Sequence, residues 1–348
     1  MPQLALYLLA ARRNIGEMMQ AKPYHHTRRG FRNPVGSPIR QVDRLDYVRF
    51  LWRLVRAGNR QVVVPEHHAL DAEATMAGLD AHVTLDSLTW LGHAAFLIRL
   101  GGRTILVDPF LGDTAGPPRL GRRRYVPTAI LPERLPKVDV MLISHNHYDH
   151  LCADTLRRLP QREQTTAIVP LGLGKFLRKR GFVHTRELDW GETHDCDGIT
   201  ITCLPAVHWS KRGAFDRNRT LWASFAIQAG GLKIWFAGDT GYGPVFREIG
   251  RDHGPFDYAL VPIGAYAPRA LMQAHHANPD EAVAIGRDIG AKRLVAMHWG
   301  TMILTDEPPF EPPELFRAAA AAAGYPPEDA WVLKIGETRA LGRWPSNE

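Results

Sequence analysis

Short apolar runs, bounded by glycine, proline and polar residues, recur along most of the chain. Their aliphatic and β-branched residues are typical of strands in a buried core. The runs lie at residues 83–88, 94–100, 103–107, 138–143, 166–169, 187–190, 199–204, 221–228, 232–237, 258–263, 294–297 and near 331–335. Glycine pairs at 101–102 and 230–231 supply the positive φ angles that tight hairpin turns need.

Helical patterns alternate with these strands. Helices are predicted at residues 154–159 with Asp154 as N-cap, at 174–180 before Gly181, after the N-cap Asn278, and at 314–323. Residues 57–80 are loosely patterned and predict a connection. The pattern therefore indicates an α/β catalytic domain over residues 81–348, preceded by an extension over residues 1–80.

The extension contains one amphipathic helix with a basic face. Its apolar stripe recurs every three or four residues, at Leu45, Val48, Leu51, Trp52 and Val55, and arginines fall on a separate face, at Arg49, Arg53, Arg56 and Arg60. Two interpretations stay open: the helix lies on an anionic lipid surface, or it packs on the main domain with its arginines in solvent. The short apolar stretch at residues 4–11 is read as a helix or interfacial anchor, because no basic residues precede it as in a signal peptide.

Charge and composition narrow the class of protein. Residues 1–60 hold 12 lysines and arginines against 3 acidic residues, and the remainder holds 31 against 33. The basic character thus belongs to the extension, and no nucleic-acid motif accompanies it, so a nucleic-acid partner is not expected. Three cysteines without a paired framework fit a reducing cytoplasm, and no apolar run is long enough to span a bilayer. We expect a cytoplasmic protein with peripheral membrane contact.

One stretch concentrates metal-binding side chains directly after a predicted strand. It reads Ser144-His145-Asn146-His147-Tyr148-Asp149-His150. Residues two apart in an extended segment point to one side, so His145 and His147 can bind one cation, and Asp149 and His150 can reach a second one nearby.

Three more candidate ligands follow later strands, at His208, Asp239 and His298. Asp239 stands in an Asp-Thr-Gly sequence, but an aspartic protease needs two such carboxylates and only one copy is present. The seven side chains suffice for two cations. Imidazoles with two carboxylates suit zinc best, with iron and manganese as alternatives. His93 is interpreted as a hydrogen-bond partner of a ligand.

This ordered set resembles the metallo-β-lactamase superfamily, which implies a four-layer αββα sandwich. Longer strings resemble the N-acylphosphatidylethanolamine-hydrolysing phospholipase D family within it. They are residues 144–151, 236–242, 262–266 and 298–301, with a fainter match at residues 29–34.

The resemblance implies a role for each matching residue. One zinc would be held by His145, His147 and His208, the other by Asp149, His150 and His298, and Asp239 would bridge them. Asp149, Asp239 and His276 are the implied catalytic residues, and His275 and His276 the implied substrate-binding pair. That family has a glutamine where this chain has His275.

The implied activity is a zinc-dependent phosphodiesterase that splits N-acylphosphatidylethanolamine-like phospholipids into N-acylethanolamine and phosphatidic acid. Phospholipid, an anionic membrane surface and a second copy of the chain in a homodimer are the expected partners. A soluble hydrolase of the same fold, acting on lactones or on sugar or nucleotide phosphodiesters, is the alternative. An RNA-processing nuclease and a non-catalytic membrane module agree less well with the charge distribution and the complete ligand set.

Overall fold

The computed structural model describes residues 22–57, 61–117 and 121–342, so the stretch at residues 4–11 lies outside the described residues. The helices are α1 Arg44–Ala57, α2 Ala72–Ala81, α3 Ala153–Arg158, α4 Gly174–Arg178, α5 Val245–His253, α6 Arg269–Met272, α7 Pro279–Asp288 and α8 Pro312–Ala322. The strands are β1 His26–Thr27, β2 Gly30–Phe31, β3 Ser87–Gly92, β4 Ala95–Leu100, β5 Arg103–Val107, β6 Thr114–Ala115, β7 Arg122–Arg123, β8 Val140–Leu142, β9 Thr166–Pro170, β10 Thr185–Leu188, β11 Thr193–Cys196, β12 Ile199–Leu204, β13 Ser224–Ala229, β14 Leu232–Phe236, β15 Phe256–Pro262, β16 Ala291–Met297, β17 Ala330–Trp331 and β18 Thr338–Ala340.

Two seven-stranded sheets form the middle of the protein. The first has the order β10-β9-β8-β5-β4-β3-β18 and the second the order β11-β12-β13-β14-β15-β16-β17. Large apolar side chains from both sheets share one buried cluster, among them Trp90 and Phe96 from the first and Phe225 and Leu260 from the second. Sheets whose inner faces pack in this way form a sandwich.

Helices cover the outer face of each sheet. Leu79 of α2, Leu156 of α3 and Leu177 of α4 are buried together with Leu97 and Met141 of the first sheet. On the second sheet, α5, α7 and α8 contribute buried residues such as Phe246, Ile285 and Phe316. The αββα sandwich that the resemblance implied is therefore confirmed.

The strand directions place five strand ends at one edge. In the first sheet β5 and β8 run parallel. In the second sheet β12, β14 and β16 share one direction, because two antiparallel pairings separate β12 from β14 and two parallel pairings join β14 to β16. The segments that follow these five strands therefore meet at the carboxyl edge of the sandwich.

Several predicted elements match in detail. Strands β5 and β12 have the predicted bounds, and Gly101 and Gly102 adopt φ angles of 58° and 76° in the predicted turn. Helix α7 begins with a capping box, in which the Asn278 side chain accepts the Glu281 N–H and the Glu281 side chain accepts the Asn278 N–H.

Three local predictions were wrong. The strand predicted at residues 83–88 begins at Ser87, since Val83 and Leu85 are 63% and 49% exposed. Residues 57–80, predicted as a connection, contain most of helix α2. Its apolar pattern is too weak to indicate a helix, although Asp71 caps it by accepting the Ala74 N–H. Asp154 is not the N-cap of α3; it lies in the first turn and accepts hydrogen bonds from two arginines of that helix.

Helix α1 contacts the body through a residue outside the predicted stripe. Phe50 is buried against Leu271 of α6, and the Arg53 guanidinium lies 2.9 Å from the Asp306 carboxylate. Two side chains of the predicted stripe are exposed, Val48 to 59% and Trp52 to 57%. Among the described residues, no helix has the length and apolar character required to cross a bilayer.

Candidate metal centre

Seven side chains converge at the carboxyl edge, each a few residues after a strand. His145, His147, Asp149 and His150 follow β8, His208 follows β12, Asp239 follows β14 and His298 follows β16. They form two groups of potential ligands. The ligand atoms of His145, His147, His208 and Asp239 lie within 4.8 Å of one another, and so do those of Asp149, His150 and His298 together with His93. The structure thus brings together the complete predicted ligand set.

The first group contains three imidazoles. His147 Nδ1 lies 2.8 Å from His145 Nε2 and 3.2 Å from His208 Nε2. Oδ2 of Asp239 lies 3.6 Å from His208 Nε2 and 3.9 Å from His145 Nε2. Three nitrogen atoms and one oxygen atom therefore face a common point, in the number that a tetrahedral zinc site uses.

Asp239 of the first group also faces the second group, which is Asp149, His150 and His298. Asp149 Oδ2 lies 3.8 Å from Nε2 of both His150 and His298. Asp239 Oδ2 lies 3.2 Å from His150 Nε2, and Asp239 Oδ1 lies 3.0 Å from His298 Nε2. A carboxylate between two groups of ligands can bond two cations at once.

Unsatisfied atoms show that these residues fit a pair of metal ions. Nε2 of His150, Nε2 of His298 and Oδ1 of Asp239 are buried and have no hydrogen-bond partner of good geometry among the described residues. A buried polar atom without a partner is costly, and a cation would satisfy all three. The donor set of imidazole and carboxylate is one that zinc, iron and manganese accept.

The protonation of the first group also suits metal binding. Burial lowers the pKa of His147 to about 4 and the pKa of His145 and of His208 well below the usual value. These imidazoles are therefore neutral at pH 7 and carry free lone pairs. At His150 burial acts in the same direction, but the charges of Asp239 and Asp108 outweigh it and raise the pKa of the imidazole. A cation at this position would take over the charge compensation from that proton.

Asp108 supports the second group and was not predicted. It follows β5, is fully buried, and accepts hydrogen bonds from the Ser144 backbone N–H at 2.7 Å and from the Ser144 hydroxyl at 2.5 Å. His150 Nδ1 lies 2.6 Å from Asp108 Oδ2, the oxygen that also accepts the Ser144 hydroxyl. Such a partner fixes the tautomer and the orientation of a ligating histidine.

The other ligands are oriented in the same way. His208 donates its Nδ1–H to the His275 carbonyl at 2.9 Å, and His145 Nδ1 lies 2.9 Å from the Ser144 hydroxyl. His93 Nε2 lies 2.9 Å from Asp149 Oδ2, which is the contact that the sequence predicted for it.

Arg212 stabilises the loop at residues 145–150, which carries four of the candidate ligands. Its guanidinium donates hydrogen bonds to the carbonyls of Asn146 and Leu151 and stacks over the ring of Tyr148 at 3.9 Å. The Tyr148 hydroxyl in turn donates to the Arg212 carbonyl. No motif marks Arg212 in the sequence, and its role becomes visible only in the fold.

His275 and His276 lie beside the two groups, between α6 and α7. The ring of His276 is 5.1 Å from that of His208 and 5.5 Å from that of His298. Burial lowers the pKa of His276 to about 4 and the pKa of His275 to about 3, so both are neutral at pH 7. Nδ1 of each is buried without a partner among the described residues.

Comparisons with known proteins agree with this geometry. Residues 103–299 match the family described as a beta-lactamase superfamily domain. An N-acyl-phosphatidylethanolamine-hydrolyzing phospholipase D of Caenorhabditis elegans is 42% identical over 225 residues, which are 61% of this chain and 63% of that protein. The aligned part of the chain thus spans less than two thirds of that relative. A metal-dependent hydrolase of Rubrobacter xylanophilus is 33% identical over 263 residues, 72% of this chain and 94% of that protein.

A solved structure supports the same arrangement. The diiron β-hydroxylase CmlA of Streptomyces venezuelae aligns with a TM-score of 0.55 and 25% identity, over 74% of this chain and 54% of that one. The iron of that enzyme shows that a related fold also accepts a metal other than zinc.

Proposed function

Because this chain belongs to the metallo-β-lactamase superfamily and is a metal-dependent hydrolase, we propose that it is a zinc-dependent phosphodiesterase of phospholipase D type. Its substrate would be an N-acylphosphatidylethanolamine-like phospholipid, and its products an N-acylethanolamine and phosphatidic acid. The observation that carries the proposal is the pair of ligand groups joined by Asp239. The likeness to the nematode phospholipase D supports the choice of substrate.

The seven ligands and His276 would have separate roles in the hydrolysis of the phosphodiester. Two zinc ions held by the seven ligands would activate a water for attack on phosphorus and offset charge on the phosphoryl oxygens. Asp239 would fix the distance between the two positions, and Asp149 would complete the second. His276 is a neutral imidazole, so it would donate a hydrogen bond to the departing alcohol rather than act as a charged acid.

A groove beside the metal centre supports a lipid substrate. It has a volume of about 870 Å³ and lies between α1 and the segment 303–310, with Trp52, Val62, Val63 and Phe310 among its walls. A smaller cavity that reaches His298 shares Ile303, Thr305, Glu307 and Pro309 with it. An acyl chain in the groove would therefore end close to the second group of ligands.

The exposed face of α1 supports contact with a membrane. Leu45, Val48 and Trp52 are each more than half exposed. Arg49 lies on the same helix and is also exposed. Apolar side chains with neighbouring arginines are suited to an anionic lipid surface, where the apolar groups enter the acyl boundary.

Incubation of the zinc-loaded protein with N-acylphosphatidylethanolamine in mixed micelles tests the proposal. We expect stoichiometric release of N-acylethanolamine and phosphatidic acid, measured by mass spectrometry, and no release after chelation. The His208→Ala variant is the matched inactive control. Turnover of soluble lactones without any lipid hydrolysis would contradict the proposal and favour the soluble hydrolase.

A negative charge introduced on the exposed face of α1 tests whether this helix contributes to membrane contact. The Val48→Asp variant is expected to lose activity on vesicles that contain anionic lipid, because a carboxylate is repelled by the surface and resists burial in the acyl boundary. Its activity on a monomeric short-chain substrate should stay unchanged. Val183→Asp, at a 63% exposed position that is distant in sequence from α1, is the control. Equal loss in both variants, or in neither, would exclude a role for this face.

A further inference from the structure

The N-terminal arm, residues 25–33, is attached to the catalytic body at its first two residues. His25 Nε2 and His26 Nε2 each lie 2.6 Å from one oxygen of the Asp189 carboxylate. The His25 ring also stacks on Trp190, with 4.3 Å between ring centroids. One carboxylate thus binds two consecutive histidines, which fixes both the position and the direction of the arm.

The middle of the arm approaches the body backbone to backbone. The Phe31 N–H donates a hydrogen bond of 2.8 Å to the Asn218 carbonyl. A Cβ atom at Gly30 would lie 2.0 Å from that same carbonyl oxygen, and the φ angle of Gly30 is 152°. Any side chain at position 30 would therefore push the arm away, and glycine permits the close approach.

The end of the arm reaches the metal centre. The Asn33 side-chain oxygen accepts a hydrogen bond of 2.9 Å from the backbone N–H of His208 and one of 3.0 Å from the Trp222 indole N–H. Asn33 and His208 are 175 residues apart in sequence. The Trp222 indole N–H also donates to the Ala206 carbonyl at 2.9 Å, whereas His208 is buried, so bulk water would not readily replace a lost acceptor of its N–H.

Asn33 accepts the backbone N–H of His208, for which the described residues offer no other acceptor. The ring of His208 is oriented by the His275 carbonyl. The adjoining residue, Val207, is fixed separately, because its N–H donates to the Thr240 hydroxyl. The N–H of His208 itself is bound by Asn33. The direction in which the His208 side chain leaves the backbone therefore depends on the arm.

We propose that Asn33 is a positioning residue of the metal centre, which places His208 Nε2 in the first group of ligands, and that the N-terminal arm belongs to the catalytic unit. The inference rests on the metal centre proposed above and not on any particular substrate. Loss of the Asn33 acceptor leaves a buried N–H unsatisfied, and the backbone of His208 rotates to find another partner. Loss of such an outer partner typically lowers metal affinity about 10- to 100-fold.

The test compares three variants of the full-length protein. Asn33→Ala removes the acceptor, Asn33→Gln displaces it by one methylene, and Asn33→Asp keeps an acceptor oxygen in place. We expect zinc affinity at one of two sites to fall about 10- to 100-fold in the alanine and glutamine variants, and to be largely restored in the aspartate variant. Competition with a chromophoric chelator measures the affinity. The visible spectrum of the cobalt-substituted protein, which reports ligand geometry, should change in the first two variants.

Controls separate this role from general destabilisation. Asp71→Ala removes a side-chain acceptor of comparable size, which caps α2 by accepting the Ala74 N–H at 2.7 Å, and should leave both zinc affinities and the cobalt spectrum unchanged. If Asn33→Ala does not fold, Asn33→Gln carries the test. Wild-type affinity and spectrum in the folded variants would overturn the inference about Asn33. Failure of the wild-type protein to bind two ions would instead overturn the metal centre.

The same contacts determine how a deletion of the N-terminal extension would have to be interpreted. Deletion of residues 1–60 removes Asn33 and both histidines of the arm together with α1. Loss of activity in that deletion would therefore follow from a damaged metal centre whether or not the substrate is a lipid. Point substitutions on the exposed face of α1 distinguish the two causes.

Discussion

Replacement of Asp239 by asparagine is expected to abolish most of the hydrolytic activity and to lower the bound zinc from two ions towards one. The oxygens of Asp239 face both groups of ligands, at 3.6 Å from His208 Nε2 in the first group and 3.0 Å from His298 Nε2 in the second. The amide keeps the shape of the side chain and removes its charge. Two adjacent cations then lose the anion between them, and their repulsion expels one.

The size of the effect follows from what the ions contribute. A metal ion stabilises charge in a phosphoryl-transfer transition state by several kcal/mol. Since about 1.4 kcal/mol changes a rate tenfold, the rate should fall at least about a thousandfold. Elemental analysis of the purified variant and initial rates at saturating zinc measure both quantities.

A surface carboxylate provides the control for Asp239. Asp252 is exposed and pairs with the adjacent Arg251, and Asp252→Asn should retain full activity and two zinc ions. A variant Asp239→Asn that binds two ions with wild-type affinity would contradict the bridging role. Loss of activity with unchanged metal content would indicate that Asp239 acts on the water or the substrate instead.

Replacement of Asp108 by alanine is expected to lower the free energy of unfolding by about 3–5 kcal/mol, the range found when one partner of a buried charged pair is removed. Asp108 is fully buried, and its carboxylate accepts from the Ser144 N–H, from the Ser144 hydroxyl and from His150. All three donors lose their acceptor at once. Urea denaturation of the metal-free protein, followed by circular dichroism, measures the change.

The same substitution should weaken metal binding, because His150 loses the group that fixes its ring. An outer partner of a ligating histidine contributes about 10- to 100-fold in affinity. Asp86→Ala is the matched control: Asp86 accepts a single backbone N–H, that of Gly101 at 2.8 Å, and its loss should cost about 0.5–1.5 kcal/mol without any effect on zinc. Equal stability of the two variants would contradict the role assigned to Asp108.

The residues that converge in the candidate metal centre could be located from the sequence because two local signals coincide at each one. His145, His208, Asp239 and His298 all follow an apolar run that reads as a buried strand, and strands that run in one direction end at one edge. The sandwich itself was predictable from the resemblance that these residues carry. Their separation along the chain did not prevent this prediction, since the strands that precede them all end at the same edge of the sandwich.

The residues that hold the ligands could not be found in this way. Asp108, Arg212 and Asn33 each act on a partner 36 to 175 residues away. The faint family match at residues 29–34 includes Asn33, and Arg212 follows His208 by four residues, but neither observation indicates which group the side chain contacts. A single aspartate after a strand, a loop arginine and an asparagine before a proline are common features. Only the packing of the sandwich shows what they touch.

The side of helix α1 that packs on the body could not be predicted from its sequence. Its periodicity correctly predicted a helix, but periodicity gives the apolar face and not the direction in which that face points. The body is contacted by Phe50, which lies off the predicted stripe, and Val48 and Trp52 face outward. Which side of a helix packs depends on neighbours such as Leu271, more than 200 residues later.

The pairing of the last strand has a consequence for biosynthesis. Strand β18 lies at the edge of the first sheet, where it pairs with β3 in antiparallel register, Thr338 opposite Thr89. During translation the hydrogen-bonding groups of β3 on that side stay without their partner until residues 338–340 have been synthesised, about 250 residues after β3. An unpaired strand edge is prone to associate with other chains, and a contact of such long sequence separation forms slowly. Nascent chains of this protein should therefore depend on chaperones that shield β3 until β18 has been synthesised.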